Sequence, residues 1–149
     1  MAQDLNIGSV VRSANAFNVG AVHIVGRRRW NKRGAMVTNR YLTVIHHETP
    51  ADVLAWAAEH GLTPVAIDNG PGSELLEATM PGRGGLGLPY DCLLVVGSEG
   101  EGISAEMLAG CERQLRIGQY GSTRSINVAA AAAVAMHTWV LQHAGPAPD

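Results

Sequence analysis

The chain has 149 residues, of which 46% are apolar and 16% charged, and its formal net charge at pH 7 is -2. This length fits a single domain that buries roughly two-thirds of its unfolded surface, and no apolar run approaches the ~20 residues of a bilayer span. The composition therefore excludes a membrane-spanning protein, and the charge excludes one that coats nucleic acid unselectively.

The helices and strands predicted for the first half of the chain alternate. Apolar residues at helical spacing predict the first helix, Asp4 or Asn6 can cap its start, and Asn18 to Gly20 stops it. The predicted elements are a helix (7–17), a buried strand (21–25), a basic loop (27–33), a short strand (43–45) and a helix between Thr49 and Gly61.

The second half continues this alternation. Its predicted elements are a strand (63–67), a turn (68–72), a flexible connection (73–90), a strand (92–96), a short helix capped by Ser104, a strand (114–117), a loop (118–123), a long helix (125–143) and a frayed tail from about 145. This order predicts one α/β domain over residues 1–149, with a mostly parallel sheet, helices on both faces, and ligands at the carboxyl ends of the strands.

The cysteines and histidines predict a protein without a bound metal, and the first residues predict a cytoplasmic location. Cys92 and Cys111 have no second pair with which to form a zinc site, and no two histidines have HxxxH or HExxH spacing. We expect both thiols to be reduced. Residues 1–4 lack the charged start and apolar core of a secretory signal, so we expect a cytoplasmic location.

Basic residues are concentrated near the start of the chain. Residues 1–40 hold seven of the eleven Lys and Arg residues and a single acidic residue. Five of the seven flank Trp30, whose ring adds a stacking surface for an unpaired base. These five cations, which suit phosphates, are Arg27, Arg28, Arg29, Lys32 and Arg33. We expect this segment to bind RNA, and a solvated loop is the alternative.

Gly100 to Ala105 imitates the dinucleotide-binding fingerprint, because it follows a strand and precedes a helix. No acidic residue lies about twenty positions further on to hold a ribose, and Glu99 and Glu101 stand where a pyrophosphate would approach. A nicotinamide-dependent oxidoreductase is therefore disfavoured.

Three segments together are more specific: Asn6-Ile7-Gly8-Ser9-Val10-Val11-Arg12-Ser13-Ala14, Val96-Gly97-Ser98-Glu99-Gly100-Glu101-Gly102-Ile103 and Ile117-Gly118-Gln119-Tyr120-Gly121-Ser122-Thr123-Arg124-Ser125-Ile126-Asn127-Val128. Their order and spacing resemble the three motifs of the SpoU/TrmH family of RNA 2′-O-ribose methyltransferases, in the SPOUT superfamily. The resemblance covers nearly the whole chain.

The resemblance implies a fold, a cofactor and an assembly. It implies a C-terminal deep trefoil knot, which general topological rules would not suggest, and a homodimer formed through the first and last helices. It implies S-adenosylmethionine as cofactor, leaving as S-adenosylhomocysteine, in a pocket lined by Gly97, Gly102, Ile117, Ser125 and Ile126.

The resemblance also implies catalytic residues. Arg12 would contact the RNA phosphate and activate the 2′-hydroxyl, and we favour an electrostatic role because a guanidinium hardly ever gives up its proton. The other polar positions implied are Asn6, Glu99, Ser125 and Asn127, for three of which (Asn6, Ser125 and Asn127) helix capping is the alternative.

Two departures from the family pattern concern the first and third motifs. Family members normally have a strand before the first motif, and often have proline and methionine where this chain has Gly118 and Gln119. The resemblance implies ribose 2′-O-methylation of tRNA or rRNA, with tRNA favoured over rRNA. The alternative is a non-catalytic knotted module that binds RNA or cofactor.

Overall fold

The computed structural model describes residues 2–26, 29–30, 32–36 and 40–149. Its α-helices are α1 (Ala2–Ala16), α2 (Pro50–Glu59), α3 (Ala105–Gly110) and α4 (Val128–His143). Its strands are β1 (Ala21–Val25), β2 (Thr43–His47), β3 (Thr63–Ile67), β4 (Glu74–Leu75), β5 (Cys92–Val96) and β6 (Arg113–Arg116). Short 3-10 helices span Lys32–Ala35 and Leu76–Thr79.

All the strand pairs are parallel. β1 pairs with β2, and a second sheet has the order β4-β6-β3-β5. Parallel strands need crossover connections. The connection between β3 and β5 contains β4 and the 3-10 helix Leu76–Thr79, whereas α3 lies between β5 and β6. The carboxyl ends of β3, β5 and β6 consequently meet at one edge, where ligands bind in sheets of this kind.

Helices cover both faces of the sheet, as predicted. Successive side chains of a strand point to opposite faces. Leu94 packs with Ala135 and Trp139 of α4, whereas Val95 packs with Val53 of α2 and Met107 of α3. β5 is thereby covered on both faces, which accounts for its wholly apolar sequence, although it lies at the edge of the four-stranded sheet and not at its centre.

The predicted strands 21–25, 63–67 and 92–96 are confirmed. β2 extends to His47 and β6 runs from Arg113 to Arg116, so these two predictions are corrected, as are the first and last helices. α1 begins at Ala2, so Asp4 and Asn6 lie inside the helix and not at its N-cap position, where the sequence predicted one of them. α4 begins at Val128 with Asn127 as its N-cap, so Ser125 lies outside the helix and does not cap it. Thr49 forms the expected cap of α2, within a capping box with Asp52.

The prediction of a flexible connection over residues 73–90 is wrong. β4 and the 3-10 helix Leu76–Thr79 lie within it, and the side chains of Leu76 and Leu88 are 1% and 3% exposed. These leucines belong to the cluster centred on Val65 and Leu115. The glycines that separate them hide any apolar periodicity in the sequence.

Among the described residues, none of the helices combines the length and apolar character needed to cross a membrane.

Candidate active site

Asn127 joins two of the other polar residues that the sequence singles out. Its side-chain oxygen accepts hydrogen bonds from the backbone N–H groups of Ala129 and Ala130, at 2.9 and 3.2 Å. Because backbone N–H groups only donate, the side-chain NH2 must point the other way. It donates to Asn6 Oδ1 at 2.9 Å and to Glu99 Oε1 at 3.3 Å. One residue from each motif thus meets at the start of α4.

The loop after β5 is closed on itself by backbone contacts. Ser98 and Gly102 exchange two backbone hydrogen bonds, of 3.2 and 3.0 Å, and Gly102 has a positive φ of 70°. A Cβ atom on Gly97 would lie 2.4 Å from the carbonyl carbon of Gly102, closer than side chains tolerate. Glycine is therefore required at Gly97 for this closure, which also presents the exposed Glu99.

The third motif forms an irregular segment, 117–127, between β6 and α4. Ile117 packs against the core cluster that contains Leu115, whereas the side chain of Ile126 is 39% exposed. Ser125 is exposed as well, and within the described residues its side chain makes no hydrogen bond. Of the four predicted site residues in this segment, only Asn127 belongs to the polar cluster.

Two residues that sequence analysis missed contact this segment. Glu77 Oε1 accepts a hydrogen bond from the backbone N–H of Gly118 at 2.7 Å, and Asn69 Nδ2 donates to the carbonyl oxygen of Arg124 at 2.6 Å. Asn69 could have been suspected, because it follows β3 at the carboxyl edge of the sheet. Nothing in the sequence around Glu77 distinguishes it from a solvated surface residue.

Arg12 is exposed on α1, and no contact in the described part of the chain joins it to the Asn127 cluster. The helix does position part of the basic segment. A Cβ atom on Gly8 would lie 2.7 Å from the Cα atom of Gly34, so α1 packs directly against the 3-10 helix Lys32–Ala35. Lys32 is thereby held close to α1.

The other residues of the basic segment fall into two groups. Arg29, Lys32 and Arg33 are exposed and Trp30 is half-buried, which leaves the cations accessible to a ligand. Arg27 and Arg28, which the sequence also predicts to bind RNA, lie outside the described residues.

The thiols do not contribute reactive groups. Both cysteines are free and half-buried, and burial together with the neighbouring Asp91 raises the pKa of Cys92 to about 11. Burial also raises the pKa of Cys111. Thiolates are consequently scarce at neutral pH. In the described part of the chain, no group of three or more His, Cys, Asp or Glu side chains is arranged to hold a metal ion.

The fold and this site define the class as an α/β protein with parallel strands and a candidate ligand-binding edge at their carboxyl ends. The chain matches the SpoU rRNA Methylase family over residues 1–137, and it belongs to that family.

Individual relatives agree with this assignment. The chain is 28% identical over 138 residues to the tRNA (guanosine(18)-2'-O)-methyltransferase of Escherichia coli (strain K12), covering 89% of this chain and 56% of that protein. The chain therefore spans little more than half the length of this curated relative.

Solved structures share the fold. The TrmH/SpoU tRNA modifying enzyme of A. aeolicus superposes with a TM-score of 0.79 at 21% identity, covering 93% of this chain and 69% of that one. The SpoU methyltransferase AviRb from Streptomyces viridochromogenes, in complex with AdoMet, also gives 0.79, at 22% identity, covering 93% of this chain and 56% of that one.

Proposed function

We propose that the chain is an S-adenosylmethionine-dependent methyltransferase that acts on ribose 2′-hydroxyl groups of RNA. The observation that carries this proposal is the cluster of Asn6, Glu99 and Asn127, in which Asn6 and Asn127 are 121 positions apart in sequence. Polar side chains from three separate motifs converge at the carboxyl edge of a parallel sheet, where substrates bind in α/β enzymes. Family membership supports the same activity.

The residues at this edge fit the proposed cofactor. Two exposed carboxylates lie on the loop after β5, at Glu99 and Glu101. S-adenosylmethionine carries positive charge on its sulfonium and amino groups, which carboxylates favour, whereas the phosphates of a dinucleotide would be repelled. Ile117 and Ile126 supply apolar surface for an adenine ring. When bound, the cofactor supplies the activated methyl group, and the protein orients it.

In the transfer, a bond forms between the ribose oxygen and the methyl carbon as the carbon–sulfur bond breaks, and the hydroxyl proton leaves to water. Arg12 binds the adjacent phosphate and stabilises the negative charge that develops on the oxygen. Asn6, Glu99, Ser125 and Asn127 orient the loops and the ribose, since a displacement of this kind depends on alignment. S-adenosylhomocysteine is the product, and the reaction uses no metal.

The RNA docks on the basic segment. The accessible cations of Arg29, Lys32 and Arg33 suit phosphates, and Trp30 can stack on an unpaired base. We favour tRNA over rRNA as the substrate, because the E. coli relative is named for a tRNA reaction.

We propose further that the protein is a cytoplasmic homodimer with a C-terminal trefoil knot. Val134 and Leu141, seven positions apart on one face of α4, are 41% and 58% exposed, which supports a partner at this helix. The bond between Asn69 and Arg124 and that between Asn127 and Glu99 hold the C-terminal segment against two earlier loops, which supports this topology.

The test is calorimetric titration of the purified protein with S-adenosylmethionine and S-adenosylhomocysteine, with NADH as control, followed by mapping of 2′-O-methyl groups in incubated tRNA. We expect both sulfur ligands to bind and NADH to remain silent. Arg12→Ala should abolish transfer and leave cofactor affinity within about twofold. Cofactor binding without transfer to any RNA would indicate a binding module, and an equal loss of cofactor affinity in Arg12→Ala would contradict its assigned role.

A further inference from the structure

Segment 117–127 carries four of the residues assigned to the site and has no helix or strand of its own. An irregular segment of this length loses considerable conformational entropy when it is ordered around a ligand. Asn127 fixes its far end through the polar cluster. Something must also fix its near end, where Gly118 and Gln119 replace the proline and methionine frequent in the family the chain resembles.

Glu77 is bonded to this near end. Its carboxylate accepts the Gly118 N–H at 2.7 Å, and a charged acceptor makes this bond stronger than a neutral one. The 3-10 helix that carries Glu77 is firmly based, because Leu76 and Thr79 are 1% and 2% exposed and Gln142 of α4 donates to Thr79 Oγ1 at 2.8 Å. A Cβ atom at position 118 would lie 2.9 Å from Glu77 Oε1, so a side chain at this position would displace the carboxylate.

Asn69 makes the second attachment, at Arg124. Asp68 stabilises the turn that carries Asn69. Its Oδ2 accepts hydrogen bonds from the backbone N–H of Gly70 at 3.1 Å and from Gln114 Nε2 at 2.8 Å. Both attachments therefore come from one stretch, residues 69–77, that lies outside the three motifs. That stretch is itself anchored on β6 through β4.

We propose that Glu77 and Asn69 are positioning residues that hold segment 117–124 in the shape that receives S-adenosylmethionine. This inference rests on the proposed function. Proline restricts its own φ and has no N–H, whereas glycine is the least restricted residue. With glycine at position 118, the bond to Glu77 supplies the restraint that a proline ring would supply through its covalent structure.

The experiment compares Glu77→Ala, Glu77→Gln and Asn69→Ala with wild type, and uses Glu74→Gln as the matched control. Glu74 is an exposed carboxylate of the same stretch, but its carboxylate oxygens accept hydrogen bonds from Arg113, which lies outside segment 117–124. We expect Glu77→Ala and Asn69→Ala each to weaken S-adenosylmethionine binding about tenfold, equivalent to about 1.4 kcal/mol. The KM for the cofactor should rise similarly while kcat stays within about twofold.

Glu77→Gln should recover most of the affinity, because its amide oxygen still accepts the Gly118 N–H. Amide exchange at Gly118, measured by NMR without cofactor, should be faster in Glu77→Ala than in wild type or Glu74→Gln. Unchanged cofactor affinity and exchange in Glu77→Ala would overturn the proposal, as would an equal loss of affinity in Glu74→Gln. A wild-type protein that binds no cofactor, yet shows faster exchange in Glu77→Ala, would overturn the proposed function and leave the attachment itself established.

Discussion

At the scale of the residue, Asn127 uses the two ends of one amide for two purposes. The oxygen caps α4, and the nitrogen connects the first and second motifs through Asn6 and Glu99. The sequence leaves capping and site roles as alternatives for Asn127, and the geometry shows that the cap and the polar cluster coexist in one side chain. Their energetic contributions can be separated by substitution.

Asn127→Ser should keep the cap and lose the cluster, because serine caps helices as well as asparagine but is too short to reach Asn6. We expect its Tm to stay within about 1 °C of wild type while methyl transfer falls at least ~10-fold. Asn127→Ala loses both functions, so its Tm should fall by about 2–4 °C, as expected for a cap worth ~1 kcal/mol. Thermal unfolding and initial rates check both values. Full activity in Asn127→Ser would show that the connection to Asn6 and Glu99 is dispensable.

At the scale of the element, the strands were predictable and the connections were not. Residues 21–25, 63–67 and 92–96 are short, largely apolar runs bounded by turn residues, and each forms a strand with the predicted bounds. The stretch from Glu74 to Leu88 was missed, because its buried leucines only acquire meaning once β6 and α4 lie beside them. Local sequence carries no trace of such long-range packing.

The site shows the same division. The motifs indicated which polar residues to consider, and the structure brings Asn6, Glu99 and Asn127 together. The sequence does not single out Glu77 and Asn69, because their roles depend on hydrogen bonds to residues distant in sequence, Gly118 and Arg124. Capping by Asn6 was wrong because the helix extends further toward the N-terminus than the apolar spacing indicates.

The loop after β5 gives a prediction at this scale. Gly97→Ala places a methyl group 2.4 Å from Gly102 and 2.6 Å from the nitrogen of Ile103, both backbone atoms that cannot move without opening the loop. We expect a loss of stability of about 1–3 kcal/mol and a large loss of cofactor affinity. Gly20→Ala is the matched control, since nothing lies within 4 Å of its added methyl group. Chemical denaturation and calorimetry measure the two effects, and similar behaviour of the two variants would refute the close contact.

At the scale of the whole molecule, β1, β2 and α2 share a cluster of histidines that links stability to pH. His23 Nδ1 lies 2.9 Å from His47 Nε2. The ring of Trp56 contacts those of His23 and His60, with centroid distances of 4.3 and 3.8 Å. Partial burial lowers the pKa of His23 below its ordinary 6.5, and the smaller electrostatic effects of His47 and His60 lower it further. Asp52, on α2, is the carboxylate that interacts with His47.

The sign of the pH dependence follows from this lowered pKa. The unfolded chain binds a proton at His23 more readily than the folded one, so its contribution to stability is complete above about pH 6.5 and declines as the pH falls below it. His23→Phe keeps a ring against Trp56 but cannot titrate. Its Tm deficit relative to wild type, measured at pH 8, should shrink at pH 5.5. Parallel Tm curves for the two proteins would show that His23 does not contribute to this pH dependence.

The two charged regions of the molecule predict that RNA and cofactor binding can be changed independently. Arg29 and Lys32 are exposed cations of the basic segment, while the loops at the carboxyl edge of the sheet carry carboxylates.

Each phosphate contact that is removed should lower the slope of log K against log salt by roughly 0.7–0.9. Arg29→Ala/Lys32→Ala should therefore weaken tRNA binding most at low salt and reduce this slope by about 1.5, with cofactor affinity unchanged. Fluorescence anisotropy over a salt series measures the slope. If the slope stays at the wild-type value, these two side chains do not contact phosphate, and the RNA must dock on a different face.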